Sequence, residues 1–299
     1  MDTSINFAPD STARTHQPAL RGLVAMEALK LRKRLMTRIV FGFVTIGMAG
    51  FMSLAYLWVR LASYPSAAER EVDLDALMLP AVFTDVNAII GGLGGILIAM
   101  LAASMVGSEF GWGTVRVLVG SGVTRTRLLA AKVVALFETI VLFVVAGLLT
   151  GVTMSLAFAL IGGHGVSLDW VSGDTLSDIL MIVVRQSFML MIPAIVAFTV
   201  AVVARSLAAG IAVGIGLQII DQILSSLLGS IGGFAGRLQD LLLTTNLSAI
   251  DQYNTVGTPQ IDTTLPDVWQ AVGLLTLYSA VMLSVAFAAF GRRDIASGS

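Results

Sequence analysis

The chain has 299 residues, of which 56% are hydrophobic and only 12% charged, and its formal net charge is -1. Soluble domains carry about 25% charged residues, so this composition cannot clothe a soluble surface of ordinary size and argues against a simple cytosolic enzyme, a disordered chain and a nucleic-acid binder. The chain has no Cys, which excludes disulfides, thiolate nucleophiles and Cys-ligated metals.

In chain order, the first 18 residues are polar, and no cleavable signal peptide precedes the first apolar run. Residues Leu20 to Arg38 are rich in Lys and Arg. Leu20, Val24, Leu31 and Leu35 fall on one side of a 3.6-residue helix, which predicts a helix lying on the inner membrane face, drawn to anionic lipid. Glu27 and Arg38 interrupt that stripe, so a plain basic topology determinant is the equal alternative. Six apolar runs follow, roughly Ile39–Val59, Asp85–Val106, Val133–Leu160, Ile179–Val203, Leu207–Leu228 and Val268–Phe290. Each reaches the roughly 20 residues that a helix needs to cross about 30 Å of hydrocarbon. The short alternating segments of a membrane β-barrel are absent.

Charge position sets the orientation. Arg14, Arg21, Lys30, Arg32, Lys33, Arg34 and Arg38 precede span 1; Arg116, Arg125, Arg127 and Lys132 lie between spans 2 and 3. Arg205 separates spans 4 and 5, and Arg292 and Arg293 follow span 6. Only Arg60, Arg70 and Arg237 fall on the other side, with Arg185 inside span 4. The positive-inside rule then puts both termini in the cytoplasm. The expected architecture is an all-α membrane protein. Residues 1–38 form a cytoplasmic N-terminal segment, residues 39–290 a six-span membrane domain and residues 291–299 a cytoplasmic tail. The loop from Gly229 to Asp267 is expected to hold one or two short outer helices, with helical character over Arg237 to Leu243.

The most informative stretch runs from Gly107 to Lys132. Glu109 and Arg116 flank a short segment carrying Phe110, Trp112 and Val115. Gly120-Ser121-Gly122 then breaks the helix, and Thr124 is placed to cap the next one. This predicts a short helix on the inner face, with apolar side chains set among charges where a cytosolic partner can push on it. An interfacial turn anchored by Trp and Arg is the even alternative.

The order Glu109, Gly113-Thr114, Arg116, Leu118, Gly122, Arg125 and Lys132 resembles the ABC-2 type transporter permeases, particularly the bacitracin-resistance-like branch of bacterial exporters. The six-span layout, the pre-span segment with Glu27 and Lys30 and the long loop between spans 5 and 6 also match. The resemblance implies that the loop is a coupling helix docking in a groove of a separate cytosolic ABC ATPase, with Glu109, Phe110, Trp112, Gly113, Thr114, Arg116, Leu118 and Arg125 as its coupling residues. It also implies a second permease copy, identical or different, and a place in the bacterial plasma membrane among lipids. No nucleic-acid partner is expected. The chain contains no G-x-x-x-x-G-K-[ST] phosphate loop, so ATP and magnesium are expected in the partner, and no cofactor or metal on this chain. The reading is a permease that moves a hydrophobic or amphipathic substrate outward, not an enzyme.

Three ionisable residues fall within spans: Glu138, Arg185 and Asp221. Such residues face a partner or a watery cavity. Arg185 and Asp221 lie about 9 and 10 Å from the outer ends of spans 4 and 5 at about 1.5 Å per residue, which predicts an ion pair between them. Glu138 is expected near the inner interface. Gly91-x-x-x-Gly95 and Gly210-x-x-x-Gly214 allow close helix contact, within one subunit or at a dimer interface. The competing readings are an ion-coupled secondary transporter using Glu138 and Asp221 and an intramembrane serine protease. The protease needs a buried Ser–His pair, which His16 and His164 are not placed to supply.

Overall fold

The computed structural model describes residues 19–111, 124–163, 170–231 and 233–292. It is all-helical, with 85% helix. Helix α1 (Leu20–Lys33) precedes α2 (Leu35–Leu61), α3 (Ala67–Ala76), α4 (Val82–Gly111) and α5 (Arg125–Gly162). Then come α6 (Gly173–Ala204), α7 (Leu207–Ile231), α8 (Gly233–Gln239), α9 (Leu243–Asp251) and α10 (Val268–Arg292). Helices α2, α4, α5, α6, α7 and α10 are long and apolar enough to cross a membrane. They correspond to the six predicted spans and are called spans 1 to 6 below.

The helices outrun the apolar runs at most ends. Span 2 continues to Gly111, past Val106, and span 3 begins at Arg125, eight residues before Val133. Polar turns go on making backbone hydrogen bonds beyond the apolar stretch, so hydropathy marks the hydrocarbon, not the helix. Local chemistry sets the ends instead. Ser66 accepts from the Glu69 amide and Ser172 from the Thr175 amide, capping α3 and span 4. Asp267 does the same for span 6 through the Trp269 amide. Gly163 ends span 3 in the left-handed conformation (φ 72°). Helix α3 lies between the first two apolar runs, where Ser66-x-x-Glu69 is a helix-start signal.

Helix α1 stops at Lys33, because Arg34 is extended (ψ 138°), and span 1 starts afresh at Leu35. The predicted stripe is thereby corrected. Leu23, Glu27 and Leu31 are buried, whereas Leu20 and Leu35 are exposed. Span 1 carries a π-helical turn at Phe43–Gly47, where Thr45 Oγ1 donates to the Phe41 carbonyl.

Spans 2 and 4 form the centre, and spans 3, 5 and 6 all pack on span 4. Ala99 and Ala103 of span 2 and Ala197 and Ala201 of span 4 make a layer of small side chains. Span 5 reaches this layer through Gly210 and Gly214. A Cβ at Gly214 would lie 2.6 Å from Ala197 Cβ, and one at Gly210 2.8 Å from Ala201 Cβ. The Gly210-x-x-x-Gly214 spacing therefore serves packing within the chain. Gly91 and Gly95 face Gln186 of span 4 and Gln218 of span 5, each 3.1 Å from where a Cβ would sit.

Candidate functional site: a buried charge cluster beneath the loop between spans 2 and 3

Helix α1 lies against the start of span 3. Burial of the Leu23–Glu27–Leu31 face carries one carboxylate into this contact. Glu27 is 0% exposed, Glu109 of the last turn of span 2 is 3% exposed and Lys132 of span 3 is 2% exposed. Lys132 Nζ donates to Glu27 Oε2 at 2.7 Å and to Glu109 Oε1 at 2.8 Å. Lys30 Nζ donates to Glu27 Oε1 at 2.7 Å and stands 3.7 Å from Glu109 Oε1.

The extended residue Arg34 completes the cluster. Its guanidinium donates to Glu109 Oε1 (3.2 Å), to Ser108 Oγ (3.1 Å) and to the Ser104 carbonyl (2.7 Å). Two carboxylates and three cations thus bind α1, the junction before span 1, the end of span 2 and the start of span 3. Burial pushes the Glu27 carboxyl up, but the charges and hydrogen bonds of Lys132 and Lys30 outweigh it and hold the group below the usual carboxylate range.

The same end of the molecule fixes both flanks of the loop. Phe110 meets Phe290 of span 6 edge to face, with ring centroids 6.2 Å apart. Arg125 Nη1 donates to the Gly291 carbonyl at 3.2 Å. Of the expected coupling residues, Glu109, Phe110 and Arg125 are therefore placed together. Trp112, Gly113, Thr114, Arg116 and Leu118 lie outside the described residues. Sequence reading did not single out Glu27, Lys30, Arg34 and Lys132 as one cluster. The available signal was Glu27 itself, a carboxylate four residues from both Leu23 and Leu31.

Glu138 does not join this cluster. It is exposed and lines a separate groove of about 620 Å³ between α1, span 1 and span 3, together with Arg32, Arg38 and Phe41.

At the opposite end the predicted Arg185–Asp221 pair is not formed. Arg185 Nε donates to the Met181 carbonyl at 3.2 Å, and Nη1 to the Tyr253 carbonyl. Asp221 accepts from the amides of Leu243 and Thr244. The reason is helix α9. Its first amides have no intrahelical partners, and its N-terminal end carries partial positive charge. That end takes the Asp221 carboxylate. Arg185 takes a carbonyl just beyond the other end, where the partial charge is negative. The matched depths of the two residues reflect one helix held at both ends.

Beside this helix Asp251 Oδ1 accepts from Asn87 Nδ2 (3.0 Å) and Asn254 Nδ2 (3.1 Å), and Asn254 also donates to Gln186 Oε1 (3.1 Å). Among the described residues, no group of three or more His, Asp or Glu side chains is arranged to hold a metal ion.

No curated protein matches the chain. The family described as ABC-2 family transporter protein matches residues 23–295, a span that takes in most of α1, the charge cluster, all six spans and the helices between spans 5 and 6. The chain belongs to the ABC-2 family of transporter proteins and is a membrane permease of an ABC transporter.

Proposed function

We propose that this permease is the membrane subunit of an ATP-driven exporter that moves a hydrophobic or amphipathic substrate outward. ATP and magnesium sit in a separate cytosolic ATPase, and the α1 end faces the cytoplasm of a bacterial cell. Two permease copies complete the path in the plasma membrane, and lipid covers the outward apolar faces. The family implies the ATPase partner. The coupling role of residues 107–132 is supported by the Lys132 bridge between Glu27 and Glu109.

Glu109 stands three residues before Trp112 and Arg125 two residues after Val123. Force applied to the intervening segment enters the molecule at these two flanks. From Glu109 it passes directly to α1 and span 3 through Lys132, and to the start of span 1 through Arg34. From Arg125 and Phe110 it passes to span 6. Low-dielectric surroundings make these contacts stiff, because separating buried opposite charges is costly. Asp221, one of the two candidates for ion coupling beside Glu138, is engaged by backbone amides instead, which favours the ATP-driven reading.

The test is gentle purification from native membranes followed by an ATPase assay on the complex. An ATPase is expected to accompany the wild-type chain and to be lost on Arg116→Glu. A stable permease that transports with no ATPase attached would overturn the proposal.

A further inference from the structure

A cavity of about 430 Å³ lies between spans 2, 4 and 5 and is bounded by α9. Its size falls within the roughly 300–1,000 Å³ of small-molecule sites. Gly91, Gly92 and Gly95 leave part of the span 2 wall without side chains. Ile96, Leu190 and Leu247 give it an apolar side, while Gln218, Gln222 and Ser248 make the rest polar.

Among the described residues, Asp251 is the one charged side chain on the lining of this cavity. Its Oδ1 is held by two neutral amide donors, Asn87 and Asn254. No Lys or Arg lies within ion-pair distance of it among the described residues. A half-buried carboxylate with no counter-ion attracts a cation. Gln186, on the same lining, is 0% exposed. Its Oε1 accepts from Asn254, while its Nε2 donor has no hydrogen-bond partner. A buried donor left unpaired is costly and calls for an acceptor. Asn254 Nδ2 bonds both Asp251 Oδ1 and Gln186 Oε1, so the two heads stand side by side. The lining therefore carries a carboxylate beside a residue with an unused, buried amide donor, with an apolar wall beyond.

We propose that this cavity binds an amphipathic amine, with Asp251 taking the ammonium group, Gln186 Nε2 donating to an adjacent hydroxyl or carbonyl oxygen, and the apolar body lying against Ile96, Leu190 and Leu247. The assignment rests on the exporter reading and names the substrate class for it.

The probe is propranolol, a protonated amino alcohol on a naphthyl body, titrated into the purified full-length chain by calorimetry at neutral pH. The control is its neutral diol analogue, which keeps the aryl body and the hydroxyl but lacks the amine. Saturable binding of propranolol is expected, at least ten-fold tighter than the diol. Asp251→Asn should reduce propranolol affinity at least ten-fold and leave the diol unchanged, and Gln186→Leu should weaken both ligands. Ser248 is exposed on α9 and outside the hydrogen-bonded network, so Ser248→Trp fills the cavity mouth in a folded protein and should abolish binding even if Asp251→Asn does not fold. Equal affinity for amine and diol, non-saturable partitioning, or binding unaffected by Ser248→Trp would overturn the proposal. The ATPase assay on the purified complex reads the exporter assignment separately, so failure of one is distinguishable from failure of the other.

Discussion

Replacing Lys132 with Met removes the cation that bridges Glu27 and Glu109 while keeping the length of the side chain. Glu27 and Glu109 are 0% and 3% exposed, so water cannot take the place of the lost charge. Glu27 keeps Lys30 at 2.7 Å, and Glu109 keeps Arg34 at 3.2 Å. A buried charge left with no partner costs about 3–5 kcal/mol; each carboxylate here keeps one cation, so that figure is the upper bound for Lys132→Met. The comparison variant is Lys30→Met. Lys30 has a side chain 32% exposed, and solvent screening limits its loss to about 1 kcal/mol. Thermal unfolding followed by intrinsic Trp fluorescence separates the two, with a drop on the order of 10 °C for Lys132→Met and a few degrees for Lys30→Met. The two contacts are coupled, so Glu27→Gln should cost less in the Lys132→Met background than in the wild type, where it also breaks the Lys132–Glu27 bridge. If Lys132→Met loses no more stability than Lys30→Met, the cluster does not hold the loop flanks together and the route from Glu109 to α1 fails.

Two further outcomes are expected. The Glu27 carboxyl sits below its ordinary value in the folded chain, so its ionised form contributes stability that is fully present above the unfolded value near 4.5 and is lost as pH falls through the lower folded value; acidification from pH 7 to pH 4 should lower the unfolding temperature of the wild type more than that of Glu27→Gln. Gly214→Val should destabilise the fold by about 1–3 kcal/mol, since its Cβ would lie 2.6 Å from Ala197 Cβ, whereas Gly216→Ala, with nothing within 4 Å of its Cβ, should unfold at the wild-type temperature in the same assay.

The six spans were legible because a membrane-crossing helix advertises itself by length and composition together. The interior contacts were not, because hydropathy records what a side chain avoids and not what it meets. Glu27 counted against an amphipathic α1 in the sequence, yet it occupies the buried face because Lys132 is waiting there. Arg185 and Asp221 suggested each other by sign and depth. Backbone groups of α9's first turn claimed Asp221 and a carbonyl just past its last claimed Arg185, and no side-chain pattern announces those. Gly210 and Gly214 were readable as a close-contact motif, but the sequence could not say that Ala197 and Ala201 of the same chain were the surface they met. The family resemblance picked out Glu109, Lys132, Glu27 and Lys30 separately, and only the fold shows them in contact with one another and with Arg34.

Helix α9 is attached by Asp221 of span 5 at its first turn and by Arg185 of span 4 just past its last. It therefore acts as a strut between two membrane-crossing helices. Spans 4 and 5 cannot part at that end without lifting the strut off one of them, and the strut cannot swing aside while both attachments hold. The access it gives to the space beneath is set by the spacing of two helices whose other ends lie at the face that carries the charge cluster.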